Sequence, residues 1–418
     1  MIRRVKIDEI EKIRRDIISD EHIRLVKEII DNVIKDGDKA LLEYSKKFEN
    51  VLLDSLLVSK EEISDAYSKV SEKEIEALKE MKRRVKIVEE ETLNSLKSIS
   101  IEIDGIRIER YFDAIESVGW YIPGGKARYP SSVIMCTVPA RVAGVKRIVL
   151  STPSSSNGVD PLTLVAADLC NVDEIYKIGG AQAIAAMAYG SESIKPVDKI
   201  VGPGGIFVTI AKYLVSNKVS IDMLAGPTEL LVLADDSADA KLIAYDLIAQ
   251  AEHSNDTLCG LVTTSKILAD NVEREINARI NDVKRSDIIK HSLTNNGFIV
   301  VCDENSAIRI VNTVAPEHLE IFVSNADKII KEIRSAGLVL IGSYSSSLAS
   351  DYCFGTNHVL PTSTFARSRG SLSCLDFLRL ATRAYAKKEG LERIIGHIKT
   401  ISEAEGLPNH AKAVEARL

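Results

Sequence analysis

Four short segments carry side chains that could do chemistry together. Gln250-Ala-Glu-His253 closes an apolar helical pattern, and residues three apart lie on one helix face, so an amide oxygen and an imidazole nitrogen there could bind one metal ion. An exposed polar face is the plainer account of the same pair. Ala315-Pro-Glu-His-Leu319 sets Glu317 beside His318 after a proline that limits helix on its N-terminal side. At a helix start or in a loop both can line one cleft, the carboxylate activating water and the imidazole moving a proton near neutral pH. The bland alternative is an N-terminal helix carboxylate next to a surface histidine. Asp351-Tyr-Cys-Phe-Gly-Thr-Asn-His358 gathers a carboxylate, a thiol and an imidazole in a stretch poor in charge and bounded by Pro361, which a solvated face explains less easily. Glu403-Ala-Glu-Gly-Leu-Pro-Asn-His410 puts acids and a histidine around a Gly406/Pro408 break, in what reads by default as a charged, fraying terminus.

Three glycine clusters supply the other kind of candidate. Gly119-Trp-Tyr-Ile-Pro-Gly-Gly125, Ile178-Gly-Gly-Ala-Gln182 and Val201-Gly-Pro-Gly-Gly205 each lie where a strand should give way to a loop or helix, so their N–H groups could face a phosphate. Tight turns account for them as well, and none is a G-x-G-x-x-G fingerprint. Cys136, Cys170, Cys259, Cys302, Cys353 and Cys374 stand singly with no C-x-x-C pair, which argues against a thiolate zinc site or a disulfide framework. Any metal would use nitrogen and oxygen ligands. Cys353 has no basic neighbour in sequence to activate it and reads as a buried thiol. His22, His291 and His397 lie in charged helical surroundings and suggest no role.

These residues have to be positioned by the elements between them. Ile23, Val26, Ile30 and Val33 recur at helical spacing, and Ser59 with Glu62 three residues on predicts a capped helix start. Ile101 to Ile108 alternates apolar and polar residues about Asp104-Gly105, which predicts a hairpin with a type I′ turn. Strands are expected at 147–150, 174–178, 199–201, 229–233, 258–263, 297–301 and 338–341. Helices follow many of them, with Asp160-Pro161 as N-cap and first position, an Ala-rich run at 181–189, and one from Asp239 to about Glu252. The last forty or so residues read as charged helices. Strand and helix alternating in this way predict mainly parallel sheets covered on both faces, and the length allows two or three domains.

Composition narrows the function class. The 418 residues hold 54 Lys+Arg against 60 Asp+Glu, a net charge of −6 without a basic half, which argues against nucleic acid or anionic membrane as the main partner. No uncharged apolar run of about 18 residues occurs, and the opening residues are too charged for a signal peptide. A soluble cytoplasmic protein is expected.

Taken in order, the segments resemble the histidinol dehydrogenase family: Gly119 to Gly125, Gly179-Gly-Ala-Gln-Ala-Ile184, Val201-Gly-Pro-Gly204, Ala225-Gly-Pro-Thr-Glu229, Gln250 to His253, Ala315 to Leu319, Gly355-Thr-Asn-His-Val-Leu-Pro361, and Glu405 to His410. Eight segments in register over nearly the whole chain are a specific signature. The resemblance implies an α/β fold of two α/β/α units resembling incomplete Rossmann domains, aldehyde-dehydrogenase-like, with helical terminal extensions. It implies an N-terminal arm at 1–20, a discontinuous unit at 21–120 plus 228–370 carrying most of the active site, an inserted NAD-side unit at 121–227, and a tail at 371–418 reaching the partner of a homodimer.

The same resemblance implies one Zn2+ per subunit on Gln250, His253, Asp351 and His410, with Glu317 and His318 as the catalytic pair. L-histidinol would be contacted by Thr228, His318, Glu405 and the four zinc ligands, and NAD+ by Tyr121, Gln182 and Gly205. Gly205 replaces the family's Asn, and Thr228 stands where many members have Ser. His358 matches a recurrent histidine near the site. The implied activity is oxidation of L-histidinol through histidinaldehyde to L-histidine with two NAD+, at the end of histidine biosynthesis. The alternative is a thiol-dependent aldehyde dehydrogenase of related fold, with Cys353 as nucleophile.

Overall fold

The strand Glu229–Ala234 is buried along its whole length, as an apolar run must be when both faces of its sheet are covered. In the computed structural model, which describes residues 2–10, 19–124 and 128–418, it lies near the middle of an all-parallel six-stranded sheet. The order across that sheet is Arg3–Arg4, Phe298–Val301, Leu258–Thr263, Glu229–Ala234, His318–Phe322, Leu338–Ile341. Part of the expected N-terminal arm, and Gly125 of the first glycine cluster, lie outside the described residues.

A second parallel sheet runs Glu174–Tyr176, Arg147–Ser151, Ser117–Tyr121, Lys199–Val201, Ser220–Ile221. Counted along the chain its strands stand in the order 3-2-1-4-5, a doubly wound order short of its sixth strand, and that order reverses between Ser117–Tyr121 and Lys199–Val201. Side chains alternate between its faces. Val118, Trp120, Ile148 and Leu150 join one core with the helices Pro130–Ala143 and Pro161–Leu169, while Tyr121, Val149 and Ile200 join another with Gly180–Tyr189 and Ile206–Val215. Each face thus receives two crossover helices. An N-terminal helix completes each layer, Glu72–Asn94 on the first and Asp20–Tyr44 on the second.

That packing differs from the expected grouping of 21–120 with 228–370. The apolar stripe of Val26, Ile29, Ile30 and Val33 is spent on the five-stranded sheet, and the expected boundary near 120 falls inside the strand Ser117–Tyr121.

The local signals hold. Ser59 accepts from Glu62 N at 3.1 Å while Ser59 N donates to the Glu62 carboxylate at 2.8 Å, the reciprocal capping box. Asp160 caps Thr163 N at 2.9 Å ahead of Pro161, and Asp239 caps Lys241 N at 2.8 Å. Ile103 pairs with Ile106 about Asp104 at φ 49° and Gly105 at φ 90°, as a type I′ turn requires. Five strands among the described residues were not anticipated: Arg3–Arg4, Ser117–Tyr121, Ser220–Ile221, His318–Phe322 and Leu378–Ala386. The last pairs antiparallel with Ile106–Ala114, which also pairs with Ile99–Ile103 to make a separate three-stranded sheet. Its Ala-rich, Arg-rich sequence reads as helix, but Arg379 reaches Asp113 at 2.6 Å and Arg383 lies over the Tyr111 ring at 4.3 Å, so cross-strand partners override propensity.

Candidate active site

The residues singled out by their chemistry collect at strand ends. Glu229 and His318 open neighbouring strands of the six-stranded sheet, while Tyr121 and Val201 close neighbouring strands of the five-stranded sheet. The stretch 351–363 bridges the two. Asn357 Nδ2 donates to Met135 O at 2.7 Å and His358 Nε2 lies 3.2 Å from Ser132 Oγ on one side. On the other, Thr362 Oγ1 accepts from Gly226 N at 2.6 Å and Ser363 N donates to Glu229 Oε1 at 2.9 Å.

Ala315 in the left-handed region at φ 49° and the following proline stop the helix Glu304–Val314, and the chain turns directly into the strand that begins at His318. Glu317 and His318 are therefore fixed at the start of an interior strand, paired on both sides, not on the helix start or loop their sequence suggested. Glu317 Oε2 accepts from Glu229 N at 2.8 Å, and Glu229 Oε2 accepts from Glu317 N at 3.3 Å. This reciprocal exchange clamps the two strand starts together. Burial pushes Glu317 up to about 7 and Glu229 up to about 8.

The His318 ring lies between two carboxylates, Nδ1 3.8 Å from Glu317 Oε2 and Nε2 3.4 Å from Asp351 Oδ1. Both ring nitrogens lack a hydrogen-bond partner among the described residues, as does Asp351 Oδ1. Burial opposes the imidazolium, but Asp351 and Glu317 outweigh it and push His318 up to about 9.

Gln250 ends the helix Ala240–Ala251, wholly buried, with neither amide atom paired among the described residues. An unpaired buried polar atom costs about 1–3 kcal/mol, which a ligand in that space would remove. His253 follows one turn on, its N–H donating to Gln250 O at 3.2 Å, and burial pushes its imidazole down toward the neutral, ligating form despite Asp351 nearby. His358 is also pushed down by burial, with Nδ1 held 2.9 Å from Asp351 O, and so braces the residue that faces His318. One chain thus gathers Gln250, His253, Glu317, His318 and Asp351, with Thr228 immediately before Glu229. A cage of three or more His, Cys, Asp or Glu side chains does not occur among the described residues. Glu405 and His410 stay exposed at the helices Lys388–Ala404 and Pro408–Glu415, which pack on each other.

Two features escaped the sequence. Glu229 locks Glu317, and its signal was a lone carboxylate heading an otherwise apolar strand. Glu320, on the same strand as His318 and fully buried, accepts from Ser347 N at 2.7 Å, while Asp246 accepts from Ser346 Oγ at 3.0 Å. Burial first, and then Asp246, pushes Glu320 up to about 8. The two acids join the helix of Gln250 and the strand of His318 to the turn Ser347–Ser350 that ends at Asp351.

On the five-stranded side, Tyr121 is buried with its hydroxyl accepting from Gly180 N at 3.2 Å, and buried Gln182 has Oε1 unpaired among the described residues. Gly205 caps the helix Ile206–Val215 in extended geometry, and a Cβ there would meet nothing within 4 Å among the described residues. Cys353 packs against the core of the five-stranded sheet.

Residues 13–418 match the family described as histidinol dehydrogenase. The histidinol dehydrogenase of Clostridium acetobutylicum is 48% identical over 401 residues, covering 95% of this chain and 92% of that protein. That of Archaeoglobus fulgidus is 42% identical over 413 residues, covering 99% of each. The crystal structure of histidinol dehydrogenase from Elizabethkingia anophelis superposes with a TM-score of 0.93 at 35% identity, covering 99% of this chain and 96% of that one. A lactaldehyde dehydrogenase structure, at 12% identity, 88% and 91% coverage and a TM-score of 0.50, shares the fold alone. This chain, an α/β protein with parallel sheets, belongs to the histidinol dehydrogenase family, and is an oxidoreductase.

Proposed function

We propose that the chain oxidises L-histidinol through histidinaldehyde to L-histidine with two NAD+ and one Zn2+ per subunit, as a cytoplasmic homodimer acting at the end of histidine biosynthesis. The observation that carries the reading is His318 held between Glu317 and Asp351 with both ring nitrogens free among the described residues. Absence of a membrane-crossing helix among the described residues is compatible with the location.

The donor set fits a zinc ion: Gln250 and Asp351 offer oxygens that lack partners among the described residues, and His253 offers an imidazole held toward its neutral form. These three, with His410 of the partner subunit, would hold Zn2+. When bound, the ion would anchor and orient the substrate's imidazole and amine, and NAD+ would supply the hydride acceptor. His318 Nε2 takes the proton of the alcohol as hydride leaves, giving the aldehyde. Glu317 then removes a proton from water attacking the aldehyde carbon while protonated His318 returns its proton to the carbonyl oxygen, and the resulting hydrate gives up a hydroxyl proton to the now neutral His318 as the second hydride departs. Thr228 offers a hydroxyl to substrate, and Glu405 of the partner subunit a carboxylate. Tyr121, Gln182 and the open position at Gly205 face the cofactor. No thiol is required, which leaves Cys353 without a chemical task.

Exposed Ile99, Ile101, Ile103 and Leu380 on the three-stranded sheet, with Ile401 and Leu407 on the tail helices, supply apolar surface for a partner that brings His410 across. Product analysis tests the reading: two NADH are expected per histidinol consumed, with histidine as product. One NADH with accumulated aldehyde would remove Glu317 from its role.

A further inference from the structure

Lys212 and Asp222 form an ion pair whose side chains are only 2% and 1% exposed. Asp222 Oδ2 accepts from Gly202 N at 2.9 Å, Asp222 Oδ1 accepts from Met223 N at 2.6 Å, and Lys212 Nζ donates to Gly202 O at 3.0 Å. Both backbone polar groups of Gly202 are therefore held by this one pair. Gly202 needs holding: its φ is +115°, and a Cβ there would lie 2.2 Å from Tyr121 O, so the ends of two strands are pressed together at this residue. The Arg369 guanidinium donates to Asp222 O from the other side.

An ion pair so buried is weak as a stabilising device, because desolvating two charges offsets most of their attraction and well-packed apolar side chains often do as well. What apolar side chains would not do is fix the N–H and C=O of Gly202. That residue follows the strand Lys199–Val201 at the point where strand order reverses, the crevice in which open α/β sheets receive ligands. Three residues on, Gly205 caps the helix that carries Lys212, and Thr209 on the same helix donates to Ala225 O at 3.0 Å. Asp222 and Ala225 in turn lead into Thr228 and Glu229. One helix is thereby tied at two points to the segment that enters the catalytic strand.

We propose that Lys212, Asp222 and Thr209 are positioning residues for the nicotinamide cofactor, holding the Gly202–Gly205 loop in register with the substrate-side segment Asp222–Glu229; this rests on the NAD+ reading above. Hydride transfer is sensitive to small misplacements of donor and acceptor, so loosening these ties should act on cofactor parameters and spare the metal side.

The test uses the full-length, zinc-loaded enzyme. The double variant Lys212→Met with Asp222→Asn removes both charges while the Asn oxygen still accepts from Gly202. Its KM for NAD+ is expected to rise about tenfold or more, with zinc content and KM for histidinol within about twofold of the parent. Lys212→Arg, which keeps the charge and donors, should hold the NAD+ KM within about threefold. A folded double variant with unchanged NAD+ KM and kcat overturns the proposal. So does one in which histidinol KM and zinc content move as far as the NAD+ KM. If the double variant does not fold, Thr209→Val decides, since it deletes one tie and preserves volume: a selective rise in NAD+ KM of about threefold supports the role, and no change overturns it. A parent enzyme that oxidises histidinol without reducing NAD+ would instead overturn the cofactor reading itself.

Discussion

His318 works only as well as its two carboxylate neighbours allow. Asp351 and Glu317 push it up to about 9 in the metal-free chain, so at neutral pH it carries the proton that a base must be free to accept. A cation taking the charge of Asp351 would remove part of that pull. The His318 titration followed by NMR should therefore move down on zinc loading and return on chelation, and a midpoint indifferent to zinc would argue that Asp351 does not ligate. Glu317, pushed up to about 7 by burial, is a base only when ionised. Oxidation of supplied histidinaldehyde should accordingly slow as pH falls below about 7. Glu317→Gln should cost about 10²–10⁴ in that step and leave the first NADH intact, read as one NADH per histidinol. By contrast Cys353→Ala should leave turnover within about twofold, since its sulfur packs with the core; a loss of orders of magnitude would revive thiol chemistry.

At the scale of elements, the site depends on how a strand, a helix and a turn are joined by Asp246 and Glu320. The folded protein raises Glu320 from an ordinary 4.5 to about 8, so folding favours its protonated form. That contribution to stability is complete below about 4.5 and is lost as pH rises toward 8. Urea midpoints of the zinc-free protein should fall over this range, and Glu320→Gln, which cannot ionise, should flatten the fall; parallel slopes would count against it. Elements also explain what was legible. Capped helices and the Asp104-Gly105 hairpin were readable because their signals lie within a few residues of each other. His318–Phe322 was not, because Glu320 interrupts the apolar pattern at the place where a buried acid is wanted for the site. At Gly205, where the family resemblance implies Asn, the extended backbone and the open space would accept that side chain, so Gly205→Asn should lower the KM for NAD+, measured at saturating histidinol.

Across the whole molecule, Gln250, His253, Glu317, His318 and Asp351 converge from three separate segments, while Glu405 and His410 remain on an exposed tail. Motif spacing raised all of these residues as candidates and the family resemblance implied their roles, but neither said which of them a single chain could assemble, since that depends on the fold. Mixing enzyme carrying His318→Ala with enzyme carrying His410→Ala should restore a fraction of activity after subunit exchange, because one site in each mixed dimer would then be whole; no recovery after proven exchange would place the tail in its own subunit's site. The three-stranded sheet has a further consequence, for synthesis. Its central strand Ile106–Ala114 must wait for Leu378–Ala386, and the paired Arg379 and Asp113 are 266 positions apart. At about 5–20 residues per second a ribosome leaves that edge unpaired for about 13–53 s, with the isoleucines of Ile99–Ile103 beside it. A chain stopped before Leu378 would keep permanently the open edge that the full-length nascent chain carries only for that interval.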